Sequence, residues 1–186
     1  MRQHATSATL EVVCGPMFAG KTTMLLRRVA EARAAGVVVQ VVRPALDHRS
    51  AADAIETHRG ERMQGISVAS AQQVIAAVGE AQLVVIDEAH FFGGALAGAC
   101  EALLHRGVSV IAAGVDIDHF GGAFEPFPAL FAMAHAVHRL QGTCARCGQP
   151  STHTQRLVPG GGRIVVGGAE AYEPRCAACF EPSAAD

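Results

Sequence analysis

Four apolar runs punctuate the first two-thirds of the chain: Leu10-Glu11-Val12-Val13-Cys14, Val37 to Val42, Leu83-Val84-Val85-Ile86, and Val108 to Ala113. None alternates cleanly between apolar and polar positions. Such runs predict strands covered on both faces, as in a parallel sheet. Between them the spacing changes. Met24, Leu25, Val29 and Ala32 fall on one face of a predicted helix over Lys21–Ala35, and Gly36 stands where that helix should end. Ser70-Ala71-Gln72-Gln73 reads as a capping box opening a helix to about Val78, just after a short strand at Ile66-Ser67-Val68. Ala95 to His105 predicts a further helix, ended near Gly107. Residues 43–64 are polar and charged, a connection long enough to carry function rather than core. Strands alternating with helices predict a doubly wound α/β sheet. Beyond Gln141 the pattern gives way to cysteine pairs, glycines and short β-like runs, with an alanine-rich tail from Pro182. Two units are therefore expected, residues 1–142 and 143–186.

A chain of 186 residues can bury one substantial core and a small appendage. Its net charge of −2 gives no strong pull toward nucleic acid or anionic membranes. No stretch of eighteen apolar residues occurs, and the first residues lack the apolar segment of a secretory signal. The expectation is a soluble cytoplasmic protein with neither a nucleic-acid nor a membrane partner. In that compartment six cysteines argue for metal ligands or free thiols rather than disulfides.

Lys21 is the only lysine, beside fourteen arginines. It stands in Gly15-Pro16-Met17-Phe18-Ala19-Gly20-Lys21-Thr22, followed by Thr23, and this segment fits the phosphate-cradling loop G-x-x-x-x-G-K-[ST]. A compact ammonium on a thin stem can fold back inside such a loop, whereas the planar fork of arginine cannot. A strand leads in and a helix leads out, so backbone N–H groups and the helix dipole should point together at a phosphate. Residues 15–23 are thus the candidate ATP-binding segment, together with Asp87, Glu88, Ala89 and His90. Asp87-Glu88-Ala89-His90 follows the third apolar run, at the carboxyl end of a predicted strand, where open α/β sheets bind their ligands. Thr22 and Asp87 are the candidate Mg²⁺ ligands, and Glu88 is the candidate general base that takes a proton from an attacking hydroxyl. The same four residues also spell the signature of a helicase group. Motors of that kind need two nucleotide-binding domains and a basic track, for which this chain has neither room nor charge.

Cys144-Ala145-Arg146-Cys147 and Cys176-Ala177-Ala178-Cys179 form paired C-x₂-C motifs. Four thiolates close a tetrahedral Zn²⁺ against water, which makes the predicted site structural; a redox dithiol is the alternative. The 28 intervening residues exceed the roughly 15–20 of common zinc ribbons, so a long loop tied at its base is expected. Cys14 and Cys100 lack partners at ligand spacing and read as core thiols. His135 and His138 are not read as ligands.

Taken together, Gly-Pro-Met-Phe-Ala-Gly-Lys-Thr-Thr, Ile-Asp-Glu-Ala-His-Phe-Phe and the cysteine pairs closely resemble the cytosolic (type II) thymidine kinase family, from about Thr9 to Phe180. Further matches are Arg43 to Arg49, Thr57-His58, Ala113 to Asp116, Thr154 to Leu157, and Val165 to Tyr172. The resemblance implies a phosphate-loop, RecA-like sheet domain carrying a small zinc-binding lasso. It implies transfer of the ATP γ-phosphoryl group to the 5′-hydroxyl of thymidine with Mg²⁺, and a homotetramer. Glu88 matches the family's base, and the stretch between the cysteine pairs matches the lasso that closes over the nucleoside. The nucleoside-binding residues implied are Met17, Asp47, Arg49, Phe91, His119, Phe120, Thr154, Val165, Val166, Gly167 and Tyr172. The chain departs from the family pattern where His119 and Phe120 take the Phe-Arg places, Ala123 replaces a proline, Ser50 a tyrosine and His90 a glutamine. Two other readings stay in play: a non-kinase ATPase or nucleic-acid motor, and a zinc-ribbon binding module with a vestigial nucleotide site.

Overall fold

The computed structural model describes residues 7–46, 54–56, 62–159 and 162–183. Six parallel strands form its main sheet: β1 (Leu10–Cys14), β2 (Val39–Pro44), β5 (Ile66–Val68), β6 (Leu83–Ile86), β7 (Ser109–Gly114) and β8 (Ala136–Arg139). Their order across the sheet is β5-β2-β6-β7-β1-β8. Two short strands in the polar connection, β3 (Ala54–Glu56) and β4 (Arg62–Gln64), pair as an antiparallel hairpin.

Residue alternation explains why the central runs are apolar throughout. On one face, Val12, Val84, Ile86, Val110 and Ala112 pack with α2 (Ala71–Ala76), α3 (Ala95–His105) and α4 (Phe127–Met133). The neighbouring Val13, Val41, Val85, Ile111 and Ala113 point the other way and pack with Leu25 and Val29 of α1 (Lys21–Ala34). Burying a side chain of this size is worth about 1.5–3 kcal/mol, so α1 is held by its core-facing stripe. At the start of α2 the Ser70 hydroxyl accepts from Gln73 N, as the capping box predicts.

Two strands begin later than the apolar runs suggest. Val37 N donates to Ala32 O and Val108 N to Leu103 O, each closing the end of the preceding helix. Those valines are spent on helix termination, so β2 starts at Val39 and β7 at Ser109. Neither α4 nor β8 has a clear sequence signal. As the sheet's edge, β8 pairs only with β1 and alternates half-buried and exposed residues, so its sequence, Ala-Val-His-Arg, needs no apolar run.

After β8 the chain builds two small antiparallel ladders. One joins β9 (Gly142–Thr143) to β10 (Pro150–Ser151); the other joins β11 (His153–Arg156) to β12 (Tyr172–Arg175). Among the described residues no helix is long and apolar enough to cross a membrane.

Candidate active site

The carboxyl ends of β1, β6 and β7 meet at one edge of the sheet. From β1 the chain turns through residues 15–20 into α1. Gly15 has φ 138°, and a Cβ there would lie 2.3 Å from Leu140 O, so only glycine lets the loop pass this close to the neighbouring backbone. Lys21 is buried, and its Nζ donates to the carbonyls of Gly15 (3.0 Å) and Pro16 (2.6 Å). Burial lowers its pKa; the nearby carboxylates of Glu88, Asp87 and Asp116 work the other way and favour the charged form. Thr22 donates its hydroxyl to Asp87 Oδ2 at 3.4 Å. Oxygens about 3 Å apart can share one hard cation at ~2.1 Å from each, so this pair suits Mg²⁺. Thr23 is exposed on the first turn of α1.

The acidic pair splits in two directions. Asp87 turns toward Thr22 and also accepts from Glu88 N at 2.9 Å. Glu88 turns into a separate pocket beside the loop. Among the described residues, the only non-glycine residues with left-handed backbone are Phe18 (φ 65°) and Glu88 (φ 50°). Each such residue costs about 1–3 kcal/mol, and strain of this kind concentrates where side-chain placement matters more than stability. Glu88 Oε2 lies 3.6 Å from His90 Nδ1. The same nitrogen accepts from Val115 N at 3.3 Å. His90 fits because residue 114 is glycine: a Cβ at Gly114 would sit 2.9 Å from Nδ1.

Met17, Glu88, His90, Phe91, His119, Thr154, Val165, Gly167 and Tyr172, all predicted site residues, line this one pocket. The Phe120 ring packs tilted against His119 with centroids 3.9 Å apart, and Val166 is exposed; neither is in the pocket wall. Asp47 and Arg49 lie outside the described residues, as do His48, Ser50 and the Thr57-His58 pair. Two contacts join the pocket to its surroundings. Met17 N, in the phosphate loop, donates to Thr154 Oγ1 at 3.0 Å on β11. Tyr172, at the start of β12, donates its hydroxyl to Val165 O at 2.8 Å and so folds segment 165–172 back on itself.

Sequence reasoning did not assign Val115, Ile117, Asp118, Phe124, Arg163 and Ile164, which complete the lining. Arg163 is the surprise. It stands in a glycine-rich stretch without periodicity, where nothing in the sequence marks it as reaching the 118–124 loop. Asp118 and Phe124 lie in a segment already noted for its departures, and their apolar or acidic character alone does not say which way they face.

The Sγ atoms of Cys144, Cys147, Cys176 and Cys179 all lie within 4.8 Å of one another, with Cys147 and Cys176 at 3.6 Å. Thiolates held ~2.3 Å from a tetrahedral zinc are about 3.8 Å apart, so the donor set fits such an ion in both type and spacing. Desolvation opposes ionisation of Cys144, but backbone N–H groups of Cys176, Cys147 and Arg146 outweigh it and bring this thiol down to about 6. Its neighbours push Cys179 up to about 12. Cys14 and Cys100 are buried elsewhere, and burial pushes each up to about 12.

Comparison with known proteins places the chain. A family model described as thymidine kinase matches residues 8–180. A thymidine kinase of Rhodothermus sp. (strain ITI 518) is 40% identical over 182 residues, covering 98% of this chain and 85% of that protein. One from Chloroflexus aurantiacus (strain ATCC 29366 / DSM 635 / J-10-fl) is 37% identical over 195 residues, covering 98% of this chain and all of that protein (100%). The fold also resembles the genome packaging NTPase B204 of Sulfolobus turreted icosahedral virus 2, solved in complex with ATP-gammaS. That match has a TM-score of 0.50 at 13% identity over 76% of this chain and 77% of the other, and speaks for fold alone. On the family match and these full-length identities, the chain belongs to the thymidine kinase family.

Proposed function

We propose that the protein transfers the γ-phosphoryl group of ATP to the 5′-hydroxyl of thymidine, giving dTMP and ADP. The observation that carries this is the position of Glu88, between the phosphate loop on one side and a half-open, mostly apolar pocket on the other. In this reading residues 15–23 cradle the ATP phosphates and Lys21 offsets their charge. Thr22 and Asp87 would hold Mg²⁺, which supplies further neutralisation of charge on the transferring group. Glu88 accepts the proton of the 5′-hydroxyl. Phe91, His119 and Tyr172 wall the base, while backbone groups of Val165 and Gly167 read its polar edge. Phosphoryl transfer needs positioning and charge stabilisation more than covalent help. The segment between the cysteine pairs serves as a lid that keeps water from the γ-phosphate. We further propose a division into a catalytic unit over residues 1–142 and a lid unit over 143–186, a homotetrameric assembly and a cytoplasmic location.

The test is ADP release in the presence of thymidine, deoxyuridine, single-stranded DNA or RNA. Stimulation by thymidine and not by polymer is the expected result; turnover driven by polymer alone would favour a motor instead.

Zinc in the cysteine cluster gives two further expectations. Metal analysis should find one zinc per chain, bound less well in acid because protons compete for the thiolates. Cys176→Ser should lose the metal and weaken thymidine binding, while the apolar sheet still folds and binds ATP. A full complement of zinc in that variant would contradict the assignment.

Thr154→Val keeps the shape of the side chain and removes the acceptor of Met17 N–H. Leaving a part-buried donor unpaired costs about 1–3 kcal/mol. The thymidine KM should rise severalfold, measured at saturating ATP; an unchanged KM would mean the contact does not connect loop and lid.

A further inference from the structure

Asp118 is almost wholly buried, with 3% of its side chain exposed, and both of its oxygens are committed. Oδ1 accepts from Phe120 N at 3.0 Å and Gly122 N at 2.8 Å, which fixes the turn that presents His119 to the pocket. Oδ2 accepts from Arg163 Nε at 2.7 Å. Arg163 comes from the stretch between the cysteine pairs. Its Nη2 also donates to Ala123 O, and its guanidinium covers the Phe124 ring with Cζ 4.9 Å from the centroid. One arginine therefore makes three separate contacts with residues 118–124. Two residues further on, Val165 contributes to the pocket wall and accepts the Tyr172 hydroxyl. A planar guanidinium suits this site: Nε serves the carboxylate, Nη2 a carbonyl, and the face lies on an aromatic ring.

We propose that Arg163 is the latch of the nucleoside site, a positioning residue that clasps segment 162–167 to Asp118 and so sets how tightly thymidine is retained. The proposal rests on the kinase reading for its substrate, but the clasp is a property of the chain alone. Losing the arginine leaves a buried carboxylate without its cation, a penalty that falls on the closed arrangement and is relieved when the segment lifts away. Because the hydrogen bonds and ring contact of Arg163 go to residues 118–124, its loss should act on nucleoside affinity and not on the chemical step.

The test uses full-length Arg163→Met and Arg163→Lys proteins with two readouts. Hydrogen exchange of the backbone over residues 164–172 should quicken in Arg163→Met without any substrate. The thymidine KM should rise roughly 10-fold or more, from loss of a charge-assisted hydrogen bond, with ATP KM unchanged and kcat held or raised. Arg163→Lys should restore part of the affinity, since an ammonium can meet Asp118 but not the carbonyl and ring as well. In an Asp118→Asn background Arg163→Met should cost clearly less than it does alone, because the ion pair is already gone and only the Ala123 carbonyl and Phe124 ring contacts remain to be lost. Unchanged exchange, an unchanged thymidine KM, or additive effects in the double variant would each overturn the latch. Wild-type protein inert toward thymidine would sink the kinase reading instead, and exchange would still decide whether the clasp exists.

Discussion

Glu88→Gln protein is expected to bind ATP and thymidine about as well as the wild type and to turn over about 10²–10⁴-fold more slowly, the usual cost of removing a general base. The substitution is nearly isosteric, so the left-handed backbone at residue 88 and the pocket wall should persist. What changes is the ability to hold a proton. With His90 Nδ1 accepting from Val115 N, the imidazole has no free acceptor nitrogen on that side to stand in for the carboxylate. Single-turnover rates should carry the whole loss and equilibrium binding almost none. Near-normal turnover would move the base elsewhere in the site.

Lys21→Arg should abolish nearly all activity although it keeps the charge. The ammonium sits in a buried niche between the Gly15 and Pro16 carbonyls, at 3.0 and 2.6 Å, which a planar guanidinium cannot enter without pushing the loop open. ATP affinity should fall less than turnover, because backbone donors of the loop remain. A second signature follows from composition. Lys21 and the N-terminus are the only amines, so an amine-selective reagent should modify at most those two positions. MgATP should shield Lys21 and leave the N-terminus reactive. Normal turnover of the arginine variant, without protection by ATP, would mean the lysine has no phosphate to meet.

The central strands and α1 were legible because one physical demand, burial on both faces, writes a continuous apolar run, and a second, a phosphate loop, fixes residues one by one. What escaped has weaker causes. Strand β8 lies at the sheet edge and can be built from Ala-Val-His-Arg, since only one neighbour and half a face constrain it. The starts of β2 and β7 shifted because Val37 and Val108 close helices, a choice of hydrogen-bond partner that hydrophobicity does not encode. In the site, residues whose chemistry demands an identity, such as Lys21, Thr22, Glu88 and the four cysteines, could be named from spacing or resemblance. Arg163 could not. Its role depends on a long loop meeting Asp118 in space, with 45 residues between them in sequence, and no local pattern records that meeting.

The phosphoryl acceptor is the centre of this account, and identifying the product tests it most directly. Purified protein incubated with MgATP and thymidine should yield thymidine carrying a single phosphate on its 5′-oxygen, one for each ADP released, as read by mass spectrometry and phosphorus NMR. Thymidine lacking the 5′-hydroxyl should fill the pocket and give no phosphorylated nucleoside. Release of inorganic phosphate with thymidine left unchanged, or phosphate on the 3′-oxygen, would contradict the placement of Glu88 between the loop and the pocket as the proton acceptor for the 5′-hydroxyl.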